Sequence, residues 1–294
     1  MPYAKARDGT HLYYKDWGKG APVVLLHGWP LTGDSFDDVA LELAERGCRA
    51  IIPDRRGFGR SDQPWDGYDY DTFADDVAAV LNHAEITEPA ALVGFSMGGG
   101  EVARFLSRQG AQRVSKAVLI SAVVPYMLQT DDNPNGVPQA TFDEMTAGMK
   151  KDRAHFFTGF FKDFFGVGVL SSPVSDEVLD DAKRQTMMAG LRPTLAAAKA
   201  FATTDFRPDL ASFTVPTLVI HGTEDKTVPI DATGRVVAAK VPGARLIEYE
   251  GSAHGLFAIE KERLIEDLVG FLTSEIGAHP TEADSRSAIP LSQA

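Results

Sequence analysis

The chain has 294 residues, 44% hydrophobic and 24% charged, a composition that excludes disorder of the whole chain and allows one large core. Lys and Arg number 29 against 41 Asp and Glu, a net charge of −12, which excludes a general affinity for nucleic acid or for an anionic membrane surface. No apolar run approaches the roughly 20 residues of a membrane span, MPYAKARDGTHLYY lacks the apolar stretch of a signal peptide, and the lone Cys48 has no partner for an intrachain disulfide. The expectation is a cytoplasmic enzyme with a small, neutral or cationic partner.

In chain order, residues 10–16 (THLYYKD) mix polar and aromatic side chains and predict an edge strand. PVVLLHG (22–28) is a short branched apolar run ending in Gly, the form of a strand buried on both faces. RAIIPDRRG (49–57), AALVGFS (90–96), KAVLIS (116–121), TLVIHG (217–222) and ARLIEYEG (244–251) repeat that form. Helical patterns fall between them at 34–46, 71–84, 97–109 and 259–272. In 71–84, Phe73, Val77, Val80, Leu81 and Ala84 share one face, and Thr72 with Asp75 predicts a capping box. Strands alternating with helices predict βαβ units and a mostly parallel sheet.

From about 125 to 212 the alternation stops. A Pro-, Asn- and Asp-rich loop (130–139) precedes helix-like stretches, among them HFFTGFFKDFFG (155–166) with six Phe. This helical insertion is the candidate cap over a site. The expected organisation is a core of 1–124 and 213–276, a cap of 125–212 and a polar tail of 277–294.

The strongest chemical signal is Gly94-Phe95-Ser96-Met97-Gly98. G-x-S-x-G alone is weak, but here a strand precedes it and a helix follows it. Two residues without side chains let strand and helix cross tightly and lift the Ser96 hydroxyl above the sheet. A phosphate loop is excluded because Gly100 and Glu101 stand where Lys and Ser or Thr are needed. A dinucleotide fingerprint at Gly57-Phe58-Gly59 fails because Asp62 occupies the third Gly position.

A serine nucleophile needs a base, and the base needs an orienting group. Of seven His, His254 follows the last strand on a small-residue loop (Gly251-Ser252-Ala253-His254-Gly255) and is the candidate base. His27 and His221 end strands as His-Gly pairs and are expected to brace loops. Asp225, after TLVIHGTE, is the candidate acid; Glu224 is expected to be solvated. Asp54 precedes the serine and is expected in a structural salt bridge. The oxyanion donors are expected to be the backbone N–H groups of Met97 and, from HGWP, Trp29. Pro30 restricts the backbone of Trp29 and fixes where its carbonyl points. Pro30, Phe157, Phe161 and Val228 are expected to line a compact apolar pocket.

These residues resemble the α/β-hydrolase superfamily and, within it, the cofactor-free bacterial haloperoxidases, or perhydrolases, and their sister aryl esterases. The stretches that carry the resemblance are YYKDWG, HGWP, DRRGFGRSDQPWDGYDYDTFADD, LVGFSMGGGEVAR, TDFRP, PTLVIHGTEDKTVP and SAHG, spread from about residue 10 to 272. The elbow alone indicates only the superfamily; the longer stretches in register are more specific. The resemblance implies an eight-stranded, mostly parallel sheet with a helical cap, and a Ser96–His254–Asp225 triad. It implies no metal or cofactor, esterase action on short or aryl esters, and peracid formation from hydrogen peroxide and a carboxylic acid or ester. Pro30 matches members that favour peracid formation. The resemblance also implies a homo-oligomer, a trimer or dimer of trimers, with dimers known in such folds. Ser-Ala before His254, where the family often has Ala-Pro, and the extra tail depart from the pattern. A lactonase or lactam amidase would keep the same triad, and a non-catalytic small-ligand binder would not need Ser96. A haloalkane dehalogenase or epoxide hydrolase would need Asp at position 96.

Overall fold

The computed structural model describes residues 3–168 and 171–274; the expected polar tail lies outside them. An eight-stranded sheet runs in the order β1-β2-β4-β3-β5-β6-β7-β8. Its strands are β1 (Tyr3–Lys5), β2 (His11–Gly18), β3 (Ala21–Leu26), β4 (Cys48–Pro53), β5 (Ala90–Phe95), β6 (Val114–Ile120), β7 (Thr217–Gly222) and β8 (Arg245–Tyr249). β4 to β8 pair in parallel through β3, whereas β1 and β2 are antiparallel. The central strands are uninterrupted apolar runs because helices cover both faces: β5 and β7 are buried at every position.

Those helices are α1 (Asp37–Glu45), α2 (Tyr70–His83), α3 (Met97–Gln109), α7 (Gly234–Lys240), α8 (Leu256–Ile259) and α9 (Lys261–Thr273). Between β6 and β7 lie α4 (Gln139–Phe165), α5 (Asp176–Met187) and α6 (Leu191–Thr203). α4 breaks at Asp152, whose backbone is non-helical (φ −159°, ψ 92°). The Asp152 carboxylate then accepts the His155 N–H at 2.9 Å and restarts the helix.

Two local expectations are corrected. Residues 10–16 are not the edge: Tyr3–Lys5 pairs outside β2. Three residues are too few to show an alternating pattern, although Asp8-Gly9 is a hairpin signal and Gly9 takes φ +93°. The cap of α2 is Asp69, not Thr72. Asp69 accepts the Thr72 N–H at 2.9 Å, and Asp75 instead receives Arg108 at 2.8 Å.

Buried ion pairs tie the site-bearing elements together. Arg55, just past β4, donates from Nη2 to Glu101 of α3 at 2.8 Å and to the His27 carbonyl at 2.6 Å. Both side chains of the pair are at most 4% exposed. Asp54 is in a salt bridge, as expected, but its partner is Arg60 at 2.7 Å rather than a flanking arginine. Arg56 pairs with Asp76. Removing one member of a buried pair strands the other's charge. Glu101→Gln is expected to lower unfolding free energy by about 3–5 kcal/mol, read by urea denaturation. A loss below about 1 kcal/mol, the range of exposed pairs, would show that Arg55 finds another partner.

Candidate active site

β5 delivers Ser96 into a tight turn that α3 continues. Ser96 has φ 54° and ψ −118°, a backbone that a β-carbon strongly disfavours. The turn is held from three sides: the Ser96 N–H donates to the Ile120 carbonyl at 2.8 Å, and the Ser96 carbonyl accepts from Gly99 at 3.0 Å and Val123 at 3.2 Å. The flanking glycines are obligatory. A β-carbon on Gly94 would lie 2.4 Å from the Gly98 carbonyl oxygen, and one on Gly98 would lie 2.1 Å from that of Leu26.

The three residues singled out as a triad come together although 158 positions separate the outermost two. His254 Nε2 faces Ser96 Oγ at 3.0 Å, and His254 Nδ1 donates to Asp225 Oδ2 at 2.6 Å. The second carboxylate oxygen, Oδ1, accepts the N–H groups of Thr227 and Val228 at 2.9 and 2.8 Å. His254 is fully buried, with the rings of Phe164 and Phe95 centred 4.7 and 5.0 Å from its imidazole. Burial works against the Asp225 charge, but His254 and His221, by charge and hydrogen bonding, hold its carboxyl well below the usual carboxylate range. Glu224 is exposed, as expected.

The His27-Gly28-Trp29-Pro30 loop follows β3 and faces the elbow. His27 braces it: Nε2 accepts the Arg55 N–H at 3.0 Å while Nδ1 donates to the Gly28 carbonyl at 2.9 Å. Burial, then the charge of Arg55, push the His27 imidazole well below its ordinary pKa. Trp29 donates its indole N–H to the Thr194 carbonyl of α6 at 3.0 Å. The Trp29–Pro30 peptide bond is cis, and Pro30 is buried. Met97 opens α3, so its N–H has no acceptor within the helix.

A cavity of about 390 Å³ opens beside Ser96, within the range of small-ligand sites. Trp29, Val228, Phe156, Phe160 and Phe201 form much of its wall, with Asp163, Lys226 and Thr227 adding polar groups. Val228 is where the sequence placed it. Phe157 and Phe161 are not: each is 1% exposed and packs into the core, and the lining comes from Phe156 and Phe160 one position earlier. The two pairs lie about 100° apart around the helix, and spacing within a stripe of six Phe does not reveal which pair faces inward. Pro30 likewise is not among the lining residues. Phe142 and Met145 of α4 were not anticipated; they line this cavity and also the outer groove between α4 and α6. His221, read from sequence only as a loop brace, has Nε2 3.3 Å from Asp225 Oδ2.

Comparison with known proteins agrees with this architecture. The alpha/beta hydrolase fold family matches residues 21–260. The chain is 44% identical over 278 residues to the non-heme chloroperoxidase CPO-A1 of Kitasatospora aureofaciens, covering 92% of this chain and 99% of that one. It is 41% identical to the bifunctional esterase/perhydrolase DCH of Acinetobacter calcoaceticus, covering 93% and 100%. The crystal structure of bromoperoxidase from Bacillus anthracis superposes with a TM-score of 0.89 at 41% identity, covering 93% of this chain and 99% of that one. With a serine elbow, a histidine after the last strand and a mostly parallel eight-stranded sheet, this chain belongs to the α/β-hydrolase family.

Proposed function

We propose that this protein is a metal-free serine hydrolase of the haloperoxidase type, with esterase and perhydrolase activity through one acyl-enzyme. The observation that carries the reading is the buried line of hydrogen bonds from Asp225 through His254 to Ser96, ending in an apolar cavity. Ser96 Oγ attacks the carbonyl carbon of a short-chain or aryl ester while His254 takes its proton. The oxyanion is met by the N–H groups of Met97 and Trp29. The leaving alcohol departs with the proton from His254, and the acyl group stays on Ser96. Water then releases a carboxylic acid, or hydrogen peroxide releases a peracid, and either restores the serine. The peracid oxidises halide in solution to hypohalous acid and returns to the carboxylic acid. The relatives named as chloroperoxidase and as esterase/perhydrolase support both outcomes.

Ser96→Ala is expected to abolish p-nitrophenyl acetate hydrolysis and peroxide-dependent bromination in acetate buffer together. Bromination that survives the loss of hydrolysis would separate the two reactions and overturn the shared acyl-enzyme.

The choice between peroxide and water is assigned to the Trp29 carbonyl, which Pro30 restrains. A hydrogen bond from the peroxide's second oxygen to that carbonyl is made only on the route to peracid, so it lowers that barrier alone. One neutral hydrogen bond is worth about 0.5–1.5 kcal/mol, or roughly 2- to 13-fold in rate. Pro30→Leu is therefore expected to cut perhydrolysis by that factor while ester hydrolysis holds or rises. Equal losses in both steady-state assays would assign Pro30 to loop stiffness alone.

We also propose assembly into a homo-oligomer, a trimer or dimer of trimers, on the strength of the family resemblance. Light scattering is expected to give a multiple of the 31.7 kDa chain mass; a single-chain mass would refute it.

A further inference from the structure

The catalytic carboxylate has a second histidine. His221 ends β7 four residues before Asp225 and is fully buried. Its Nε2 lies 2.9 Å from the Val228 carbonyl oxygen and 3.3 Å from Asp225 Oδ2. Both oxygens only accept, so Nε2 carries the hydrogen, which bonds the Val228 carbonyl with Asp225 Oδ2 close beside it. The other ring nitrogen, Nδ1, has no hydrogen-bond partner among the described residues. It lies under the start of α7, where a β-carbon on Gly234 would come within 2.8 Å of it. The ring is thus fixed by packing on one side and by two acceptors on the other.

We propose that His221 is a positioning residue for the reaction set out above: its Nε2–H shares Asp225 Oδ2 with His254, fixing the carboxylate's orientation and limiting the negative charge that His254 feels. Asp225 then has four donors, Thr227 and Val228 N–H on Oδ1 and the two histidines on Oδ2. Hydrogen bonds to the ionised form favour it, in keeping with the depressed Asp225 carboxyl. The 2.6 Å contact to His254 is the stronger, and the 3.3 Å contact from His221 is the one that tunes it.

Other charges around the pair are separately placed. Glu224 and Lys226 flank Asp225 but are exposed, as is Asp163 of α4. Glu248 of β8 is paired with Arg235 of α7. Glu260, after α8, accepts the Ser252 hydroxyl. None of them is within salt-bridge distance of Asp225 or His254 among the described residues.

His221→Leu removes the donor and keeps an apolar side chain; His221→Gln can return an N–H near the same point. Both are read by kcat and KM for p-nitrophenyl acetate across pH, beside urea denaturation. Without the His221 donor more charge remains on Oδ2, so His254 binds a proton more tightly. The base limb of the kcat/KM profile is expected to move to higher pH in His221→Leu. At neutral pH kcat is expected to fall tenfold or more, as for loss of a hydrogen bond to a charged group, with KM little changed. His221→Gln is expected to recover part of both changes. A lower urea midpoint with unchanged kcat and limb would reduce His221 to a packing residue and overturn the proposal, as would a Gln variant no better than Leu. Nitrogen NMR of the wild type gives an answer even where a variant does not fold: His221 is expected as the Nε2–H tautomer, and an Nδ1–H tautomer would refute it. If the wild type shows no Ser96-dependent hydrolysis at all, it is the hydrolase reading that fails, not the geometry of His221.

Discussion

The site depends on the close crossing of β5 and α3. Side chains at Gly94 and Gly98 would collide with backbone, so only glycine allows the strand to turn into the helix within one residue. That turn holds Ser96 in a backbone conformation it would not adopt alone, and the surrounding hydrogen bonds to Ile120, Gly99 and Val123 over-determine it. The Arg55–Glu101 pair then anchors α3 one turn further on, and through the His27 carbonyl it also anchors the loop that faces the serine. Ser96 and the His27-Gly28-Trp29-Pro30 loop are thereby fixed to the same centre of the sheet.

Around this centre, burial strengthens a few directed interactions. In a low-dielectric interior a hydrogen bond gains strength and an unpaired polar atom becomes costly. Asp225 and His254 are both enclosed; Asp225 Oδ1 meets two donors, and Oδ2 meets His254 with His221 Nε2 3.3 Å away. The helical insertion between β6 and β7 takes part in this enclosure. Phe164 of α4 packs edge-on against the His254 ring and accepts the Gly255 N–H at 2.9 Å. The α6 carbonyl of Thr194 holds the Trp29 indole, and Gln185 of α5 accepts the Thr32 hydroxyl at 3.1 Å. The insertion therefore holds both the loop that carries His254 and the loop that carries Trp29.

Much of this was legible in the chain because the signals are local. Seven of the eight strands appear as short apolar or aromatic runs bounded by turn residues, and the order serine, acid, histidine follows from which strand each residue ends. A buried parallel strand has to be apolar throughout, and a tight strand-to-helix turn has to be glycine-flanked, so both leave marks in adjacent residues. Asp225 was separable from Glu224 only by its place in the loop, and the fold shows the difference as burial against exposure. The three-residue β1 and the Asp69 cap escaped because neither carries enough periodic residues to stand out.

The sequence alone determined the fold class, the elbow, and the three residues that meet over the sheet, since each is written in a short stretch of chain. Tertiary structure decided what depends on rotation and distance. A stripe of six Phe does not say that Phe156 and Phe160 face the cavity while Phe157 and Phe161 pack behind it. A His-Gly pair at a strand end does not say whether its ring braces a carbonyl, as His27 does, or also comes to 3.3 Å from the Asp225 carboxylate, as His221 does. The rotation of α4 is set by its packing against α5, α6 and α8, and the reach of His221 by the turn after β7 that brings Asp225 back beside it, and no local pattern encodes either.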